Sequence, residues 1–122
     1  MSPDGPSERA ASGEEVTALC RVFDLNHVTA EDALRRQLRG LKVRPGCACG
    51  CASVDLVPPA DVPASTSGIQ RIDADIRTED GAPVGFVLVS VQAGRLDRLE
   101  FASVVDDPIG AVPGPEQLAS DR

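Results

Sequence analysis

The chain has 122 residues, with 12 basic and 19 acidic side chains and a net charge of −7 at neutral pH. This length suits a single domain, whose core must come mainly from Val, Leu, Ile and Ala because Trp and Tyr are absent. Nucleic acids and anionic membrane surfaces are bound by clustered Lys and Arg, so the composition argues against both kinds of partner. The charge would fit a basic protein as partner, and it would equally serve to keep a small protein in solution without any such partner.

The N-terminal segment, residues 1–11, is rich in Pro, Ser, Gly and charge, which is typical of a disordered tail. It lacks the basic and apolar regions of a signal peptide. The longest apolar run, Val84 to Val91, is too short to span a bilayer. We therefore expect a cytoplasmic protein, in which cysteines are mostly reduced.

Two helices are predicted next. Ser12-Gly13-Glu14-Glu15 matches a capping box, in which the Ser12 and Glu15 side chains satisfy each other's backbone N–H groups. The apolar residues that follow recur on one helical face: Val16, Leu19, Cys20 and Phe23. Thr29 opens a second helix, with acids in its first turn, arginines in its last turns and Gly40 beyond its end.

After Gly40 the apolar residues recur at every second position, which indicates strands. The strands are expected at residues 53–57, 69–78, 84–91 and 96–105. In the second, Ile72, Ala74 and Ile76 face one way and charged residues the other, as in a sheet with one solvated face. In the last, Leu99, Phe101 and Val105 share a face. Turn signals at residues 79–81 and 92–95 predict hairpins.

These elements predict an α+β fold, in which two N-terminal helices pack on one face of a three- to four-stranded antiparallel meander. The domain would span residues 12–107. Residues 108–122 carry three prolines and are expected to form an extended tail.

The candidate site is the segment CACGC, where Cys47, Cys49 and Cys51 stand at alternate positions. Structural zinc sites need four ligands, usually with two to four residues between paired cysteines. Here the spacing is one residue and the chain has no second pair. In a straight strand the first and last cysteines would lie about 13 Å apart, at about 3.3 Å per residue. A metal site therefore requires the segment to curl, which Gly46 and Gly50 permit.

Several uses of these cysteines stay open. Zinc or Cu(I) would need a further ligand, for which the candidates are His27, Asp55 and Cys20. A strained disulfide between alternate cysteines would suit a redox sensor. An enzyme would need Cys51 and His27 within about 3–4 Å of each other, which nothing in the sequence specifies. The interpretation that the spacing favours is structural, with reduced cysteines packed as small apolar side chains.

The stretches ALRRQLRG, CACGCASVDL and GAPVGFVLVSVQAGRLDRLEF, with a Pro-rich PGPEQL end, resemble a family of small bacterial hypothetical proteins common in actinobacteria. Its recurring features are a Cys-x-Cys-Gly-Cys-x-Ser motif and a Gly-Arg-Leu-x-x-Leu-Glu hairpin. The resemblance covers roughly residues 14–118 and implies no activity, because the family is uncharacterised. The hairpin is also similar to hairpins in small immunity-type proteins of bacterial toxin systems.

The acidic charge, the lack of a catalytic constellation and the hairpin together predict a small cytosolic, non-enzymatic protein-interaction domain of immunity or antitoxin type, with no cofactor. The alternative is a thiolate metal-binding or redox-sensing module that uses the CACGC segment.

Overall fold

A computed structural model describes residues 8–46 and 52–120. In these residues one antiparallel sheet is formed by β1 (Arg9–Ala10), β2 (Lys42–Pro45), β3 (Val54–Val57), β4 (Arg71–Arg77), β5 (Pro83–Gln92), β6 (Arg95–Ser103) and β7 (Leu118–Ala119). The order across the sheet is β1-β2-β3-β6-β5-β4-β7. The helices are α1 (Gly13–Leu25) and α2 (Ala33–Arg36), and a 3₁₀ turn spans Pro115–Gln117.

The predicted fold, two helices on a three- to four-stranded meander, is wrong. The part of the chain that the structure describes has seven strands, a single long helix of 13 residues and a second helix of only four residues. The second helix begins late because Asp32, and not Thr29, caps it: the Asp32 carboxylate accepts the Leu34 N–H at 2.9 Å. It ends at Arg36, beyond which the Leu38 and Arg39 N–H groups donate to carbonyls only three residues back. The missed strands have two to four residues, too few for an alternating pattern to be visible.

Helix α1 begins where the sequence predicts. The Ser12 hydroxyl accepts the Glu15 N–H at 3.1 Å and the Glu15 carboxylate accepts the Ser12 N–H at 2.8 Å, so the capping box is confirmed. Arg9 donates two further hydrogen bonds of 2.8 Å to the same carboxylate, which ties β1 to the start of the helix. Leu19 and Phe23 of the apolar helical face are fully buried in the core that α1 shares with the sheet.

The sheet turns one face towards α1. The inward orientation predicted for Ile72, Ala74 and Ile76 is confirmed, since all three belong to or pack against the core. Leu99 and Phe101 are buried as predicted. The prediction for Val105 is wrong: β6 ends at Ser103, whose hydroxyl bonds the Val105 backbone, and the Val105 side chain is 50% exposed.

Both predicted hairpin turns are confirmed. Between β4 and β5 the Thr78 N–H donates to the Ala82 carbonyl at 2.9 Å, and Gly81 takes a left-handed φ of +89°. Between β5 and β6 the left-handed residues are Ala93 and Gly94, with φ of 52° and 80°. Two successive residues with positive φ match the twist of a two-residue hairpin loop.

The buried side chain of Gln37 fixes the β5–β6 hairpin against the short helix. Its amide nitrogen donates to the Gly94 carbonyl at 2.9 Å, and its amide oxygen accepts the Leu96 N–H at 2.8 Å. Arg95 of the same hairpin donates to carbonyls of the connection between β3 and β4: those of Pro58, Pro59 and Val62. These bonds hold the long crossover that lets β3 lie beside β6.

Segments predicted as tails supply both edges of the sheet. β1 pairs with β2, with Arg9 opposite Val43, and β7 pairs with β4, with Leu118 opposite Ile76. Leu118 is only 1% exposed and belongs to the core. Within residues 8–46 and 52–120, no helix has the length and apolar character needed to cross a membrane.

Candidate functional site

The predicted ligands Cys47, Cys49 and Cys51 lie outside the described residues, so the metal, redox and packing interpretations of them stay predictions. The described flanks of this segment meet. The Gly46 N–H donates to the Ser53 carbonyl at 3.2 Å, and Pro45 is paired with Val54 across β2 and β3. Gly46 suits this contact, because a Cβ there would come within 2.9 Å of the Ser53 oxygen.

The candidate fourth ligand His27 ends helix α1. Its backbone φ is +60°, its N–H donates to the Asp24 carbonyl at 3.2 Å, and the next residue, Val28, donates to the Phe23 carbonyl at 2.9 Å. These two bonds form a Schellman motif, in which the left-handed position usually holds glycine. The His27 side chain is exposed. The backbone alone thus accounts for its placement.

The other ligand candidates are not gathered into a site. Cys20 is a half-buried free thiol on α1, and burial raises its pKa, which makes the thiolate less available. Asp55 lies on β3, on the sheet face opposite the core. Among the described residues, no group of three or more His, Cys, Asp or Glu side chains could hold a metal ion.

A different surface gathers exposed apolar and acidic side chains at one end of the sheet. Val104 and Val105, 60% and 50% exposed, are the exposed large hydrophobic side chains of the described residues. They directly precede Asp106 and Asp107, both exposed. The Val104 N–H donates to the Val84 carbonyl at 3.0 Å, which places this segment beside the start of β5.

The β4–β5 turn, which leads into the start of β5, brings two more carboxylates to the same end of the sheet: Glu79 and Asp80, both exposed. We call the surface formed by Val104, Val105, Glu79, Asp80, Asp106 and Asp107 the acidic end. Hydrogen bonds from the Thr78 hydroxyl and from the Ala82 N–H hold the pKa of Asp80 below its usual range, so this carboxylate stays charged. Arg77, the basic residue at the end of β4 before this turn, already forms an ion pair of 3.1 Å with Asp75.

Sequence reasoning missed the acidic end, although its components are visible in the sequence. The predicted strand extends over both valines to residue 105, and the aspartates that follow are predicted to lie beyond its end. The signal that could have separated the valines from the strand is Ser103, whose hydroxyl bonds the backbone two residues on and ends the strand.

No protein-family model, curated protein or solved structure matches the chain. The resemblance to small actinobacterial proteins therefore stays a prediction.

Proposed function

We propose that the protein is a small cytoplasmic, non-enzymatic interaction domain that binds a basic protein partner through the acidic end, in the manner of immunity or antitoxin proteins. The observation that carries this proposal is the pairing of two exposed valines with four exposed carboxylates at one end of the sheet. An apolar centre with a charged rim is the usual anatomy of a protein interface.

The charge of the acidic end decides the class of partner. Clustered carboxylates repel nucleic acid and anionic membranes. They attract a basic protein towards the surface over roughly one Debye length, about 8 Å at physiological salt. The immunity or antitoxin role is supported by the resemblance of the β5–β6 hairpin to hairpins in small immunity-type proteins, although the hairpin turn at Ala93 and Gly94 lies at the other end of these strands from the acidic end.

Affinity capture from the lysate of the host cell tests the proposal with three baits. The first is the wild-type chain. The second, the acid-neutral variant, carries Glu79→Gln, Asp106→Asn and Asp107→Asn. The third, the matched control, has the same charge change at exposed acids elsewhere: Glu14→Gln, Glu31→Gln and Asp61→Asn.

We expect a basic protein that the wild-type chain and the matched control retain and that the acid-neutral variant loses, as read by quantitative mass spectrometry. Recovery of the same proteins at the same level from all three baits would contradict the proposal.

A second candidate function is a thiolate metal-binding or redox-sensing module at Cys47, Cys49 and Cys51, with zinc or Cu(I) as the ion. The observation that favours it is the hydrogen bond between Gly46 and Ser53, because it brings together the described flanks of the segment. The three thiolates would form a soft ligand set.

Metal titration under reducing conditions tests this second function. A thiolate site would bind about one ion per chain, and would lose it when the three cysteines are replaced by serine. A metal-to-protein ratio near zero, with unchanged thermal stability in chelator, would exclude it.

A further inference from the structure

The sheet has a second face, which points away from α1 and carries apolar side chains. Along β5, Val87, Val89 and Val91 are buried in the core, and the alternate residues Phe86 and Leu88 project from the opposite side. Phe86 and Leu88 are half-buried and, among the described residues, are not part of the core cluster or packed against it. We call this side of the sheet the open face.

The open face has balanced charge in a chain that is strongly acidic. It carries six basic side chains: Lys42, Arg44, Arg71, Arg77, Arg95 and Arg98. It also carries six acidic ones: Glu8, which is paired with Arg44, and Asp55, Asp73, Asp75, Asp97 and Glu100. Its formal charge is therefore zero, whereas the whole chain carries −7. The general repulsion between two copies of this chain is absent on this face.

The two signs are separated into neighbouring rows across β4, β5 and β6. The strand register aligns Arg71, Ser90 and Arg98 in one row, which we call the arginine row. Two residues along each strand it aligns a second row, the acidic row: Asp73, Leu88 and Glu100. The rows lie about 7 Å apart, at about 3.4 Å per residue.

We propose that the open face is the interface of a homodimer. A twofold axis that crosses the strands between the two rows places Arg71 of one copy opposite Asp73 of the second copy, and Arg98 opposite Glu100. The same symmetry repeats both pairs in the reverse direction, so that four pairs of opposite charge form around Leu88. A heterologous partner would need to match both rows, whereas a second copy matches them by symmetry.

The side chains on these rows are available for such contacts. Arg71 and Asp73 are exposed, and neither side chain has a partner among the described residues. The Nε atom of Arg98 is buried without a hydrogen-bond partner, 3.9 Å from the Glu100 carboxylate. The Arg98 and Glu100 side chains are 36% and 43% exposed, and these exposed parts, not the buried Nε atom, would contact the second copy.

The sheet edges, in contrast, are closed to strand pairing between copies. β1 and β7, at the two edges, have two residues each. On the β4 edge, the Asn26 side chain donates to the Asp73 carbonyl at 2.8 Å, which occupies a backbone acceptor that another strand would need. Association through the face is therefore favoured over association through an edge.

The size of the open face is sufficient for a stable dimer. Five strands at about 4.8 Å spacing and seven residues at about 3.4 Å give a face of roughly 24 by 24 Å. Packing two such faces would bury roughly 1,200 Å², above the roughly 1,000 Å² expected of a specific interface.

Analytical ultracentrifugation of the full chain tests the proposal. We expect a mass twice the chain's 12.7 kDa. Arg71→Glu places a carboxylate opposite Asp73 of the second copy and should weaken the dimer at least about tenfold. The double variant Arg71→Glu with Asp73→Arg exchanges the two charges and should restore the dimer to within about threefold. Both positions are exposed, so the variants should keep the fold, as circular dichroism would verify.

Three results would overturn the homodimer. One is a wild-type chain that sediments at 12.7 kDa at concentrations up to about 100 µM. The second is a dimer that Arg71→Glu leaves intact, which would place the interface elsewhere. The third is a double variant no more dimeric than Arg71→Glu alone, since only an opposed arrangement of the two rows predicts rescue.

Discussion

The acidic end and the open face both leave apolar side chains uncovered, but their charges differ. At the acidic end, Val104 and Val105 are accompanied by four carboxylates, and the neighbouring Arg77 is already paired with Asp75. On the open face, six acids balance six bases around Phe86 and Leu88. Charge of one sign favours an oppositely charged partner, whereas balanced and separated rows favour a second copy. The charges that surround an apolar surface thus indicate what it binds.

The largest expected effect is a weakening of the dimer proposed at the open face, with the acidic end left unchanged. Reversing both acids of the acidic row, with Asp73→Arg and Glu100→Arg, makes both rows positive and creates four repulsive pairs in the dimer. We expect the dissociation constant of the dimer, measured by sedimentation, to rise about a hundredfold, because like charges across an interface cost several kcal/mol. Binding of a basic peptide at the acidic end should change by less than about threefold, since the altered rows lie outside it. An unchanged dimer would refute the proposed arrangement.

A variant outside both surfaces separates binding from stability. Glu15→Gln removes a carboxylate that accepts hydrogen bonds from Arg9 and from the Ser12 N–H. The Glu15 side chain is only 3% exposed. We expect the free energy of unfolding to fall by about 1–2 kcal/mol, a figure reduced for the exposure of Arg9. Urea denaturation would measure the loss. The dimer and the acidic end should be unaffected at temperatures where the variant is folded. Altered binding in the folded variant would mean that the two surfaces depend on α1.

The same carboxylate gives a pH dependence with a defined sign. Burial raises the pKa of Glu15, but hydrogen bonds from Arg9 and Ser12 outweigh it and leave the pKa below its usual value. The stability that Glu15 contributes is therefore present above its unfolded-state pKa, about 4.3, and is lost as pH falls through the lower folded-state pKa. Denaturation measured from pH 6 down to pH 3 should show a shallower decline for Glu15→Gln than for the wild-type chain.

Truncation of the valines tests the apolar part of the acidic end and leaves the open face unchanged. Replacing Val104 and Val105 with serine removes the apolar centre of the acidic end and leaves its carboxylates in place. We expect affinity for a basic, leucine-containing peptide to fall about tenfold, which corresponds to about 1.4 kcal/mol. The dimer should be unchanged. If peptide affinity is also unchanged, the acidic end attracts by charge alone and its valines have no part in binding.

The smallest expected effect concerns His27, which belongs to neither surface. Its φ of +60° suits glycine, so His27→Gly should raise the free energy of unfolding by about 0.5 kcal/mol. The variant also removes the imidazole that the sequence offers as a candidate fourth ligand. A stability gain with unaltered metal binding would assign His27 to helix termination. Weakened metal binding would instead support the thiolate module.

The parts of the fold that were predictable from the sequence depend on neighbours along the chain. The capping box joins Ser12 to Glu15, and the hairpin turn joins Thr78 to Ala82. Apolar and charged residues alternate along β4, and this identified its buried face because successive side chains of a strand point to opposite faces of the sheet. Local signals of this kind do not require knowledge of the rest of the structure.

The parts that were not predictable depend on contacts between distant segments. Gln37 bonds the backbone of Leu96, 59 residues away, and this contact holds the short helix that was expected to be long. The pairing of β3 with β6 and the two-residue edge strands are set by the same kind of contact. The acidic end likewise joins the β4–β5 turn to a segment more than twenty residues further on.

Fluorescence anisotropy with a labelled peptide of lysines and leucines tests the role of the acidic end most directly. The peptide is titrated into the wild-type chain, the acid-neutral variant and the matched control. We expect about a tenfold loss of affinity for the acid-neutral variant and less than about twofold for the matched control, which has the same net charge. Equal losses in the two variants would show that the peptide senses only the overall charge, and would contradict a docking surface at this end of the sheet.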